Sequence, residues 1–203
     1  MNNKIYVSCK NNKAYSPIGI MDLFEQAVKE NNGDIEAIFK KKQKYKNLLE
    51  MWHGSFLALA LYKKFGPQFK FYICQPEKDP PDLYFIHKES GGILPVEIME
   101  LYKYKDNFKS YEELAKHIWK KKGVKKYDRC YLLLASRLST SKFNVTKFLQ
   151  ELKNFTWDFQ KIYLSLYMAR KQQWTFFEIF SSSAQYSSLN YMYFNKEDKQ
   201  FLY

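Results

Sequence analysis

Pro81-Asp82-Leu83-Tyr84-Phe85 and Pro95-Val96-Glu97-Ile98-Met99-Glu100 are the two runs on which the reading of this chain turns. Leu83 to His87 and Ile93 to Leu101 are rich in β-formers, and Glu89-Ser90-Gly91-Gly92 between them is too short to be anything but a turn. So short a connection makes the two strands antiparallel neighbours. A turn centred on Ser90-Gly91-Gly92 puts Tyr84 opposite Glu97 and Asp82 opposite Met99. Side chains alternate along a strand, so Asp82 and Glu97 come to one face of the hairpin. Two carboxylates converging there repel each other unless a cation lies between them. Mg²⁺ or Mn²⁺, hard and oxygen-seeking, fits such a pair.

The flanking sequence predicts the frame. Ile20, Leu23, Phe24, Ala27 and Val28 follow a helical period, closed by Asn31-Asn32-Gly33. Residues 35–64 read as one long helix or two collinear ones, ended by Gly66-Pro67. Glu50 lies on this helix in line with Gly54, Leu57, Ala58 and Leu61, a small apolar face suited to packing on a sheet. Phe69 to Gln75 reads as a strand. Ser110-Tyr-Glu-Glu113 is a capping box opening a helix to Gly123. Arg129–Ser136, Lys161–Tyr167 and Trp174–Phe180 read as strands, with a helix from Asn144 to Leu152. Helices alternating with strands around one sheet predict an α/β or α+β domain. Residues 1–66 form an N-terminal helical segment packing on a core of residues 67–203, the whole read as one continuous domain.

Composition narrows the function. Hydrophobic residues at 46% exclude a disordered chain. Net charge is +12, and all but three of the 33 basic residues are Lys. A+T-rich coding explains Lys over Arg, but not the excess of bases over acids. Such a chain is drawn to polyanions, nucleic acid first. The runs Lys103-Tyr-Lys105 and Lys120-Lys121-Lys122 are the predicted phosphate contacts. Cys9, Cys74 and Cys130 show no paired spacing, the polar N-terminal run does not read as a leader, and no apolar run reaches membrane length. The expectation is a cytoplasmic protein with reduced thiols and no membrane partner. His53, His87 and His117 share no zinc-binding spacing, and no GxSxG, Walker A or GxGxxG run occurs.

Helical Glu50, then Pro81-Asp82, a hairpin, and Val96-Glu97-Ile98 on an apolar strand resemble the PD-(D/E)xK nuclease superfamily, the restriction endonuclease-like fold. The resemblance covers residues 45–180, although the motif itself is a handful of positions. It implies a central mixed sheet flanked by helices. Asp82 and Glu97 become metal ligands, Glu50 a helical acid binding the metal directly or through water, and the Ile98 carbonyl completes the site. Phosphodiester hydrolysis with Mg²⁺ or Mn²⁺ follows, on DNA in preference to RNA, with a homodimer as the usual assembly of type II restriction enzymes; an RNA-cleaving or repair nuclease is the alternative, the same chemistry on another substrate.

One position departs from the pattern. The third motif residue is ordinarily Lys, and here it is Met99. Either a lysine comes from elsewhere, or the chain is a non-catalytic relative that binds nucleic acid, or the sequence is that of an inactivated variant. The first case is similar to the cap-snatching endonucleases of segmented RNA viruses, where the helix after the Glu strand offers the Lys. Lys116 and Lys109 are then the candidates, with Lys103 behind them.

Overall fold

The computed structural model describes residues 8–78, 80–101, 108–127, 129–139, 143–168, 173–182 and 190–195. The protein is α+β, with a mixed sheet flanked by helices. Its contacts gather into two units: the chain up to Ile98 belongs to the first, and Met99–Asn195 is the second.

In the first unit, α1 (Pro17–Glu30) begins three residues earlier than the apolar period suggests. Ser16 caps it, its Oγ accepting the Gly19 N–H at 3.0 Å, and Pro17 occupies the first turn, where no N–H is needed. The expected long helix is two: α2 (Ile35–Lys40) and α3 (Lys42–Phe65). The break is at Lys41, whose ψ of 43° is not helical. Its ammonium donates to Asn31 Oδ1 at 2.8 Å, and Asn31 donates in turn to Ala27 O and to the Tyr45 hydroxyl. Gly66, at φ 87°, ends α3 in a conformation that disfavours a side chain.

Strands β1 (Phe71–Cys74), β2 (Leu83–His87) and β3 (Ile93–Glu100) form an antiparallel meander in which spatial order follows chain order. Leu83 and Phe85 are fully buried and meet α3 at Gly54. A Cβ on Gly54 would sit 2.5 Å from Leu83 Cδ1 and 3.3 Å from the Phe85 ring, so the helix comes this close only because position 54 has no side chain.

Cys9 and Cys74 form a disulfide across 65 residues, with Cα atoms 5.8 Å apart. This corrects the expectation of reduced, unpaired thiols; the third cysteine, Cys130, is buried and takes no part in a disulfide. Sequence spacing gave no sign of the pairing because the arm carrying Cys9 is brought to β1 by backbone bonds. The Tyr15 and Ile73 backbones exchange N–H···O bonds of 2.8 Å each, and Lys10 N–H donates to Gln75 O at 2.8 Å.

The second unit opens with α4 (Tyr111–Ile118), running into a π-helical turn at Trp119–Gly123. The capping box is present in a shifted form. Ser110 Oγ accepts the Glu113 N–H at 3.2 Å, and the Glu113 carboxylate accepts the N–H of Lys109 rather than that of Ser110. Strand β4 (Tyr131–Ser139) pairs in parallel with β5 (Lys161–Met168), α5 (Val145–Leu152) lying between them in sequence. Strands β6 (Gln173–Ser181) and β7 (Asn190–Asn195) add antiparallel to β5 in turn. Strand β7 falls in a Ser- and Tyr-rich stretch that periodicity does not resolve. The core joins Leu114, Ala115 and Ile118 of α4 and Phe148 and Leu152 of α5 to Leu132, Leu134, Ile162 and Leu164. Among the described residues, no helix is long and apolar enough to cross a membrane.

Candidate functional site

The hairpin register differs from expectation by one turn position. Leu83 pairs with Val96 and Tyr84 with Pro95, so Asp82, next outward, falls opposite Glu97 rather than Met99. The loop is the cause. His87 N–H donates to Gly92 O at 2.7 Å and Gly91 N–H to His87 O at 2.9 Å, so the four loop residues are Lys88 to Gly91. Gly91 (φ 66°) supplies the left-handed residue, while Gly92 accepts from His87 just ahead of β3. The His87 ring fixes the loop: Nδ1 accepts the Ser90 N–H at 3.0 Å, and Nε2 lies 2.7 Å from Gln68 O and so carries the proton. The shift moves the pairing by two residues, which preserves the shared face of Asp82 and Glu97.

Asp82 holds a specific position. Hydrogen-bonded pairs alternate along an antiparallel ladder, through His87 with Gly92 and Leu83 with Val96, so Pro81 and Ile98 come next. The chain has left the strand at Pro81, and the Asp82 side chain takes over: Ile98 N–H donates to its Oδ2 at 2.7 Å. That bond ties the Asp82 carboxylate to the residue next to Glu97. Backbone and side-chain geometry then keep the two carboxyl groups within about 10 Å at the widest. Glu97 is 1% exposed, a buried acid on a central strand, whereas its neighbour Glu100 is only half-buried. Burial of a carboxylate is costly unless a cation or hydrogen-bond donors compensate it.

Glu50 approaches from the other side of the sheet. Helix α3 packs on the face bearing Leu83 and Phe85, and alternation sends Glu97 to the opposite face. The direction of α3 nevertheless brings Glu50 toward Asp82. Phe65 at its C-terminus meets Phe69 at 4.8 Å, Phe69 meets Phe71 at 6.0 Å, and Phe71 meets His87 at 5.9 Å. Helix α3 therefore ends near the His87 end of β2. Gly54 lies over Leu83, and Glu50, one turn earlier, lies toward the end where Asp82 begins the strand. Its carboxylate is 3.5 Å from Lys46 Nζ and half-buried. His53, one turn after Glu50, is buried with its ring 5.0 Å from that of Trp52.

The candidate lysines belong to the second unit. Met99 is 6% exposed and sits in the apolar core that also takes in Leu114, Ala115 and Ile118 of α4. Lys116 is exposed, on the side of α4 turned away from Leu114 and Ile118. Lys109 precedes the cap Ser110, outside α4, and is also exposed. Lys103 and Lys105 lie outside the described residues. Lys120 and Lys121 are exposed and Lys122 half-buried, all on the π-helical turn.

Oxygen donors from Asp82, Glu97 and the Ile98 carbonyl suit a hard divalent ion. Among the described residues, no group of three or more His, Cys, Asp or Glu side chains is arranged to hold a metal. A second polar cluster escaped the sequence reading. Glu178 Oε2 is 2.7 Å from Lys161 Nζ and accepts the Tyr163 hydroxyl at 3.1 Å. Burial, reinforced by the Glu178 and Tyr131 charges, pushes the Tyr163 phenol far up. The β5–β6 register, Tyr163 opposite Glu178, makes this cluster, and only alternation of Lys161 and Tyr163 hinted at it. Comparison of the chain with family models, curated proteins and solved structures returns no match.

Proposed function

We propose that the protein is a metal-dependent endonuclease of the restriction endonuclease-like class, acting on DNA in preference to RNA. The observation that carries this is the pairing of Asp82, fixed on the Ile98 N–H, with the buried Glu97 opposite it. In this reading Asp82, Glu97 and the Ile98 carbonyl hold Mg²⁺ or Mn²⁺, and Glu50, coming from the other face of the hairpin, acts through water rather than as a direct ligand. Such an ion, when bound, polarises a phosphodiester and lowers the pKa of water. The chain's own share is to fix the carboxylates and to attract the polyanion with its +12 charge.

A second reading has its own observation. The motif position normally held by Lys is Met99, sealed in an apolar core, which favours a nucleic-acid-binding protein without cleavage activity.

The experiment is plasmid incubation with Mg²⁺ or Mn²⁺, using wild type, Glu97→Gln and Asp82→Asn. Asn keeps an acceptor for the Ile98 N–H while losing the charge, so loss of cutting in both variants, with unchanged melting of Asp82→Asn, supports the nuclease. Binding of wild type without cutting supports the second reading. Cutting undiminished in both variants refutes the assignment of this pair.

A further inference from the structure

The turn Lys120-Lys121-Lys122-Gly123-Val124-Lys125-Lys126 is built differently from an ordinary solvated charge run. Both its ends are clamped by aromatic side chains. At the start, the Trp119 ring stacks on Phe155 at 5.5 Å, and its Nε1–H donates to Thr156 O at 3.1 Å. The same ring lies so close over Gly123 that no Cβ could be placed there, which winds the chain back over the indole. At the far end, Tyr127 is buried and stacks on Phe159 at 4.5 Å. Between these anchors Lys120, Lys121, Lys125 and Lys126 are exposed. Trp119–Gly123 is a π-helical turn, a rare conformation that recurs at functional sites. The lysines thus pay little further backbone entropy on meeting a ligand. Their field is felt locally: the His117 imidazole, held below its ordinary pKa first by burial, is lowered further by Lys121 and Lys120.

We propose that this clamped turn is a phosphate-binding hook for a nucleic-acid backbone, with Lys120, Lys121, Lys125 and Lys126 contacting successive phosphates without reading sequence. It takes its ligand class from the nuclease reading but needs no metal and no cleavage. A lipid surface is the less favoured ligand. Surface anchoring requires buried apolar area besides charge, and Val124 (59% exposed) is the one large apolar side chain on the turn among the four described as exposed.

The test is anisotropy of a labelled 20-base-pair duplex in EDTA, from 50 to 200 mM salt. Wild type is compared with Lys120→Gln/Lys121→Gln/Lys125→Gln/Lys126→Gln. A control, Lys13→Gln/Lys29→Gln/Lys40→Gln/Lys88→Gln, loses the same charge from scattered exposed sites. Each phosphate contact removed takes about 0.9 from the slope of log Kd against log salt. The hook variant therefore loses about 3 to 4 of slope, and the control less than about 1. In wild type, NMR titration of His117 shows its pKa rising on duplex addition, as bound phosphate offsets the lysine field. Equal slope losses in both variants overturn the proposal, as does a His117 titration unmoved by duplex. So does binding to phosphatidylserine vesicles, abolished by Val124→Asp, by a chain that ignores the duplex. Duplex binding in EDTA by a chain that never cuts leaves the hook standing and the nuclease reading refuted.

Discussion

Gly54→Ala tests the approach of α3 to β2, on which the position of Glu50 depends. Alanine in a helix interior gains about 1 kcal/mol over glycine. Against this, the new methyl meets Leu83 Cδ1 at 2.5 Å and the Phe85 ring at 3.3 Å, and both side chains are fully buried. Overpacking of such a site costs about 1–3 kcal/mol. The expected net is a destabilisation of about 1 kcal/mol, or about 2–4 °C in a protein of this size. A double-mutant cycle isolates the cause. Leu83→Ala alone leaves a cavity and costs about 2–5 kcal/mol. In Gly54→Ala/Leu83→Ala the added methyl occupies part of that cavity, so the double variant is more stable than the sum of its parts by about 1–2 kcal/mol. Urea unfolding of the four proteins measures this. Additivity within about 0.5 kcal/mol, or a Gly54→Ala protein more stable than wild type, refutes the tight helix–strand approach.

Opening the Cys9–Cys74 disulfide with dithiothreitol is expected to cost about 4 kcal/mol, the loop-closure figure for a bridge spanning 65 residues, read as a drop in Tm; an unchanged Tm speaks against the bridge. His117 gives a pH dependence of determinate sign. Its folded pKa lies below the unfolded value through burial and through Lys121 and Lys120, so the unfolded chain binds the extra proton first. Its stability contribution is whole above about pH 6.5 and is lost as pH falls from there through the folded pKa. Replacement by Gln should flatten that part of the stability profile, and an unaltered profile argues that another group is responsible. Glu178→Ala should cost about 2–3 kcal/mol, since it strips a partly buried ammonium and a buried phenol of their common acceptor. Glu178→Gln should recover part of that loss in chemical denaturation; equal losses would leave charge as the whole of the effect.

Much of the frame was legible because it rests on local signals. The bounds of β2 follow from Pro-Asp on one side and a Gly-containing turn on the other, and Ser110 and Asn144 each cap the helix their position suggests. Three features were not legible, each for a non-local reason. The hairpin centre moved because only Gly91 of the two glycines takes the left-handed conformation, a choice set by the His87–Ser90 bonds. Helices α2 and α3 separate at Lys41, where the backbone leaves the helical region and the ammonium reaches Asn31, ten residues back. The Cys9–Cys74 pairing depends on an edge contact 65 residues long. In the candidate site, the shared face of Asp82 and Glu97 was readable from parity alone. The ladder-capping role of Asp82 was not, because it arises where Pro81 leaves the strand.

The meander of the first unit and the β5–β7 run of the second share one property: each new strand lies beside the one before it. A nascent chain leaving the ribosome thus never has to hold a strand open while awaiting a distant mate. Each edge is covered almost as soon as it is made, which shortens the time a sticky β-edge is bare to its neighbours on the polysome. Within the second unit the parallel pair β4–β5 departs from this, since α5 is synthesised between its members.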